Sequence, residues 1–423
     1  MRDEKRVLEL LEFIKKSPTS FHAVRNFEIL ARENGFVELD ERSRFSIERG
    51  RSYYVKRDGR SMIAFRIPER DFCSCSIIAA HTDSPSFALK MNPELSNTPF
   101  YTTLNVEGYG GMIISTWFDR PLSIAGRVHY RERGGLKERL VDFDRDLVLI
   151  PNPAIHMQRD INKGYEYQIQ RDVRPLFSMN GKGDFLSLLS AEAGVEKEDL
   201  LDWELYLYNR TPYSIWGCDN EFISSSRLDD MECAYAAFKS LMETDEFSTL
   251  PMVALFDNEE VGSCSSRGAL SDFLSSVIER IAFALGLDRE DELRMHASSF
   301  VISADNAHAL NPNHPEKADM TNKVVLNAGV VIKYSANQKY TTSSYSGSYL
   351  RILMDENGIR YQSFFNHSDI PGGSTLGNLS IQKISIPTAD VGLAQLAMHS
   401  SYESAGSDDV LEIFKLFKAF LSR

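Results

Sequence analysis

Hydrophobic positions along this chain keep two rhythms. Near the start, apolar side chains recur every three or four residues, as in VLELLEFI, with charges between them. That spacing lays one apolar stripe along a helix. It predicts helices over 3–16 and about 20–34, with the SPTS stretch as break and cap. After Gly59 the apolar residues become continuous, first in SMIAFRI and then in CSIIAA. Short, β-branched, mostly uncharged runs suit strands covered on both faces. From about 229 such runs alternate with helical stretches. DDMECAYAAFKSLM reads as a helix, PMVALF as a strand, 269–286 as a helix, SFVISA and VVLNAGVVIKY as strands, and 344–357 and 408–421 as helices. This alternation predicts an α/β fold, a mostly parallel sheet sandwiched by helices.

The texture differs between about 93 and 221. Strand-like pieces dominate there: GMIISTW, LSIAGRVHY, RLVDFD, LVLIP and WELYLYN. Turn residues separate them, including Gly110-Gly111 and Gly134-Gly135, and one polar helix is predicted over 183–199. The pattern predicts a β-rich module inserted into an α/β chain. The divisions are 1–92 and 222–423 for the α/β part and 93–221 for the insertion.

Composition narrows the classes of function. A length of 423 residues, 43% of them apolar, suits two globular domains. Net charge is -13 and no Lys/Arg block stands out, which argues against nucleic acid and anionic membrane as partners. Charges interrupt the first helix, unlike a signal peptide, and no apolar run approaches the roughly 20 residues that span a bilayer. Cys73, Cys75, Cys218, Cys233 and Cys264 are odd in number and lack CxxC spacing, as for reduced thiols. A cytoplasmic location is the expectation.

The chemistry gathers where the buried runs stop. SIIAA ends at His81 and Asp83, MVALF at Asp257-Asn258-Glu259-Glu260, and FVIS is followed by Asp305. Open α/β sheets bind ligands at the carboxyl ends of their strands. Asp229, in a Ser-rich loop, and His399, in LAMHSS, add two more ligand types. Histidine and carboxylate without thiolate suit zinc or a similar divalent ion. Two such ions can share the activation of water and the polarisation of a carbonyl. A bridging carboxylate is then needed, and another carboxylate must take the proton from the water. Glu259 and Glu260 are neighbours that point different ways, so one can reach a metal while the other faces the water. Asp83, two residues after His81, is placed to hold that histidine's other ring nitrogen. An acidic substrate would need a local cation in so acidic a chain.

HTDSP, RLDD, DNEEVGS, SADNAH and AMHS, in this order, resemble the motifs of the aspartyl aminopeptidases. These are zinc exopeptidases whose catalytic α/β domain is interrupted by a β-rich dimerisation domain. The resemblance runs along nearly the whole chain. It implies one metal on His81, Asp229 and Asp305, and a second on Asp229, Glu260 and His399, with Asp229 bridging. It implies Glu259 as general base and Asp83 as support for His81. His156, in PAIHMQR, matches a histidine that reaches a neighbour's active site. Lys333, in VIK, matches a lysine associated with acidic substrate side chains. Two zinc ions per site are implied, with manganese and cobalt as alternatives. Peptides with a free N-terminus are the implied substrates, and a homodimer or larger assembly, up to a dodecamer, the implied state.

Plainer readings exist for each residue taken singly. A histidine after a buried strand is most often hydrogen-bonded core. Asp229 and Asp230 suit helix N-capping, and Asp230 is assigned as a cap. Lys333 at a strand end would ordinarily reach for water. His308 is expected to be structural or to support a ligand, and His22, His129, His296 and His314 to belong to surface or packing. What favours the metal reading is five ligand types converging from separate segments, with DNEE too costly after a buried strand unless its charge is paired. The rival functions are a related dinuclear deacylase or carboxypeptidase, and a catalytically silent assembly protein on the same fold. No GxSxG, P-loop or dinucleotide fingerprint competes.

Overall fold

Nine strands form the central sheet of the computed structural model, which describes residues 4–96, 98–180, 182–380 and 382–423. In chain order they are β1 (Val37–Glu38), β2 (Ser52–Arg57), β3 (Ser61–Arg66), β4 (Cys75–His81), β5 (Leu250–Phe256), β6 (Phe300–Ala304), β7 (Val330–Lys333), β8 (Tyr361–Phe364) and β9 (Thr388–Gly392). Across the sheet the order is β1-β2-β3-β5-β4-β6-β9-β7-β8. Pairing is antiparallel at β2/β3, β3/β5 and β9/β7 and parallel at the other five contacts. Every residue of β4, β5 and β6 is buried, which is why these segments carry no charge before their ends. Alternate residues serve opposite faces. Ile78, Ala80, Val253 and Leu255 join one core with helices Glu4–Lys15, Ser20–Glu33, Leu228–Met242 and Asp409–Leu421. Ile77, Ala79, Met252 and Ala254 join the other with helix Phe273–Ala284. Burial of each such Ile or Val contributes about 1.5–3 kcal/mol. Among the described residues no helix is long and apolar enough to cross a membrane.

Helix bounds differ from the sequence reading where local chemistry intervenes. Asp3, where that reading starts the first helix, lies outside the described residues. The polar helix stops at Ala193 instead of running to 199, because Gly194 takes a left-handed conformation with φ 60° and closes it. Helix Arg289–Ser298 has no counterpart in the sequence reading, although a capping box of Asp288 and Asp291 starts it. GMIISTW is no strand; Ile114–Trp117 is a 3-10 turn. LVLIP makes only isolated bridges. Of VVLNAGVVIKY only Val330–Lys333 is extended, since Asn327 and Gly329 turn the chain at φ 64° and 98°.

A second sheet of six strands is antiparallel throughout. Its order is Gly135–Asp142, Leu122–Glu132, Leu200–Asn209, Ser86–Leu95, Tyr101–Tyr109, Leu176–Met179. Its core is its own, built on Phe87, Leu104, Ile124, Phe185 and Leu205. Arg60 and Arg127 tie it to the central sheet. Their guanidinium groups each lie 4.6 Å from the centroid of the Phe21 ring. Each also donates to Glu204 at 2.7 Å. Arg60 Nε lies 2.6 Å from a carboxylate oxygen of Asp257, at the end of β5. A third sheet joins Ser214–Trp216, Phe222–Ser225, Glu403–Gly406, Ala394–Leu396 and Ala307–His308, in that order.

Candidate metal centre

β5, β4 and β6 are neighbours, so their carboxyl ends bring Glu259-Glu260, His81 and Asp305 to one edge of the sheet. Helix Leu228–Met242 adds Asp229 near its start, and the turn after Ala394–Leu396 adds His399. The two oxygens of Asp229 face two different histidines. Oδ1 is 3.6 Å from His81 Nε2 and Oδ2 is 3.4 Å from His399 Nε2. Glu260 Oε2 is 3.3 Å from the same nitrogen of His399. Three groups of donor atoms lie within 4.8 Å of one another: His81 with Asp229 and Asp305, Asp229 with Glu260 and His399, and His81 with Glu259 and Glu260.

Each histidine offers Nε2 because its other nitrogen is engaged. His81 Nδ1 donates to the Asp83 carbonyl at 3.0 Å, and His399 Nδ1 to the Gly111 carbonyl at 2.6 Å. Asp83 thus holds His81 through its main chain, its carboxylate standing 3.5 Å away. That carboxylate accepts instead from the backbone N–H groups of Glu259 and Glu260 at 3.1 and 3.2 Å, and from the Tyr109 hydroxyl at 2.6 Å. It therefore fixes the loop that carries both glutamates.

The electrostatics ask for cations. Burial pushes Glu260 well above the ordinary carboxylate range. Burial takes Glu259 up to about 8, against the pull of His81, and Asp305, Asp83 and Asp229 add repulsion. Burial also opposes charge on Asp229, but hydrogen bonds from His399 and His81 win and hold it low. His399 is raised to about 10, desolvation being outweighed by Asp229 and Glu260. Among the described residues, buried Asp229 Oδ1 and Glu260 Oε1 accept no hydrogen bond. Orphaned carboxylate oxygens beside imidazole nitrogens fit a divalent ion of the zinc type, and thiolate takes no part in the three groups.

Two sequence candidates are not members of these groups. Lys333 is 1% exposed and donates to the main-chain carbonyls of Asp305 at 2.6 Å and Asn306 at 3.0 Å. Its Nζ is 3.6 Å from Asp305 Oδ1. His156 sits in an exposed turn of the second sheet's domain, outside the three groups.

Other residues carry no sequence signal for their part in the site. Asp230 does not cap the helix; fully buried, it accepts from the His81 backbone N–H at 3.2 Å. Glu403, 2% exposed, accepts from the backbone N–H groups of Asp229 at 3.1 Å and His399 at 2.7 Å. Tyr109 and Gly111 come from the six-stranded sheet and the turn that follows it. A main-chain carbonyl as partner of His399 leaves no trace in residue type.

Comparison with known proteins gives consistent matches. A family model described as Aminopeptidase I zinc metalloprotease (M18) matches residues 13–421. A probable M18 family aminopeptidase 2 from Clostridium novyi (strain NT) is 42% identical over 424 residues, 97% of this chain and 97% of its own. Its namesake from Ectopseudomonas mendocina (strain ymp) is 38% identical over 431 residues, 100% of this chain and 99% of its own. Among solved structures, a chain of the Ape4 and Nbr1 complex superposes with TM-score 0.95 at 35% identity, covering 99% of this chain and 86% of that one. The S. cerevisiae mApe1 dodecamer gives TM-score 0.86 at 28% identity, covering 98% of this chain and 95% of that one.

Proposed function

The chain belongs to the aminopeptidase I zinc metalloprotease (M18) family, a metalloaminopeptidase family, and from that premise we propose a dinuclear enzyme that removes N-terminal Asp or Glu from peptides in the cytoplasm. One observation carries the dinuclear reading: the Asp229 carboxylate stands between His81 and His399, one oxygen toward each. Asp305 completes one donor group and Glu260 the other. Zinc is the proposed metal, since imidazole and carboxylate donors suit it.

Bound divalent ions supply Lewis-acid polarisation of the scissile carbonyl and a lowered pKa for the attacking water. The chain's own residues do the rest. Glu259, with its main-chain N–H held by Asp83, takes the water's proton as general base and returns it to the leaving amine. For the acidic preference, Lys333 is the proposed cation, placed beside Asp305 at the edge of the ligand set.

The inserted sheet is proposed as the dimerisation domain of a homo-oligomer. His156 lies in an exposed turn between Ile155, 48% exposed, and Met157, 83% exposed. Buried against a second copy, that turn would carry His156 to the neighbour's site. A related structure is described as a dodecamer, which makes a larger assembly of this chain reasonable.

Purified protein loaded with zinc, manganese or cobalt should be assayed on a panel of aminoacyl anilides and on N-acyl amino acids. The reading expects two ions per chain and preferential cleavage of aspartyl and glutamyl anilides. Hydrolysis of N-acyl amino acids alone would establish a deacylase instead, and a single ion per chain would end the dinuclear proposal.

A further inference from the structure

Glu403 is a buried carboxylate that touches no ligand atom yet grips two ligand-bearing segments. Oε2 accepts from the N–H of Asp229 and Oε1 from the N–H of His399. Its strand, Glu403–Gly406, lies between Phe222–Ser225, which leads to Asp229, and Ala394–Leu396, which leads to His399. His399 is held at φ 66°, the left-handed region that a side chain with a Cβ disfavours. Its N–H therefore gains from a fixed acceptor.

We propose that Glu403 is a positioning residue for the metal pair, setting Asp229 and His399 in register through their main chains. The inference rests on the dinuclear reading above. A carboxylate can accept two N–H bonds at once. An amide has one oxygen, and its NH2 would oppose the second N–H, so Glu403→Gln must release one segment while altering none of the five ligand residues. Loss of such an outer support costs about 10–100-fold in metal affinity in other sites.

A control exists within the fold. Asp409, also fully buried, accepts from the N–H groups of Asn327 at 2.6 Å and Gly329 at 2.7 Å and belongs to none of the metal-capable groups. Zinc affinity should be measured by chelator competition, alongside the absorption spectrum of cobalt-loaded protein and thermal melting. The expected result is that Glu403→Gln weakens one of two ions by about 10–100-fold and changes the cobalt spectrum. Asp409→Asn should melt earlier but bind both ions as the parent does. Glu403→Asp keeps a two-oxygen carboxyl group but cannot span both N–H groups, so it should show the same selective loss and covers the case in which Glu403→Gln does not fold. Parent-like affinities and spectrum in either folded Glu403 variant, or a loss matched by Asp409→Asn, would overturn the proposal. A parent that binds only one ion would instead overturn the dinuclear reading beneath it.

Discussion

Replacing Arg60 by Met tests what holds the two sheets together. Met keeps most of the stem over Phe21 but removes the charge. Glu204 loses little, since it is about a third exposed and still pairs with Arg127 at 2.7 Å; such a partner is worth no more than about 1 kcal/mol. Asp257 is the costly one. It is fully buried, and the next cation, Arg267 Nε, is 3.8 Å away. Breaking a buried pair in this way costs about 3–5 kcal/mol. At about 2.1 cal/mol/K per residue, the unfolding entropy of a 423-residue chain is about 0.9 kcal/mol/K, so Tm should fall by about 3–6 °C in a single cooperative transition. The pH dependence is fixed in sign. Burial already raises Asp257 to about 7, against the pull of Arg60. A raised folded pKa gives stability that is full below the unfolded value near 3.8 and is lost as pH rises through the folded value. Without Arg60 that folded value climbs further. The deficit against the parent should therefore be small near pH 5 and largest above pH 7. Melting curves of the metal-loaded proteins across that range measure it, and Arg60→Met with Asp257→Asn should recover part of the loss. A deficit that is flat with pH, or a double variant as unstable as the sum of the singles, would refute the argument.

Glu259→Gln should keep its metals and lose about 10²–10⁴ in turnover, as for a missing general base, while Glu260→Gln should lose metal. Metal analysis of both variants decides, and the opposite pattern reverses the two roles. Lys333→Ala should impair cleavage after Asp or Glu far more than after neutral residues. An equal fall in both, together with loss of metal, would make Lys333 a prop for the Asp305–Asn306 main chain instead. Co-expression of His156→Ala chains with Glu259→Gln chains should restore one working site per mixed dimer, because the first chain keeps Glu259 and receives His156 from its partner. Activity no greater than the sum of the two parents, with mixed dimers confirmed by two affinity tags, would place His156 outside the neighbour's site.

The central sheet was readable because burial on both faces forces a run such as SIIAA or MVALF to exclude charge. Residues at the ends of those runs then stand out, which is how His81, Glu259, Glu260 and Asp305 come into view together. Asp83 was legible as the support of His81, but the other supports were hidden for a physical reason. Asp83 on the glutamate loop and Glu403 on Asp229 and His399 act on main-chain N–H groups, and Gly111 acts through its carbonyl, so residue type and spacing say nothing about the partner. Arg289–Ser298 escaped because REDELRMHAS buries only Glu292 and Met295 and shows no apolar stripe. GMIISTW misled in the other direction: Met112, Ile114 and Trp117 serve the insertion's core through a turn, with Trp117 buried at 4% exposure.

Tyr109, Gly110 and Gly111 make the insertion inseparable from the chemistry it interrupts. Tyr109 steadies Asp83, Gly111 orients His399, and Gly110 passes so close that an added Cβ would stand 3.1 Å from the Cβ of Glu260. A shortened chain with residues 86–209 replaced by a linker would retain all five ligand residues and all nine strands of the central sheet. It would still leave one ring nitrogen of His399 without its acceptor and the glutamate loop without the hydroxyl that braces its anchor. Swapping insertions between homologues to change assembly would meet the same obstacle. The three residues at the seam have to travel with the host, so the unit of exchange is not the unit of folding.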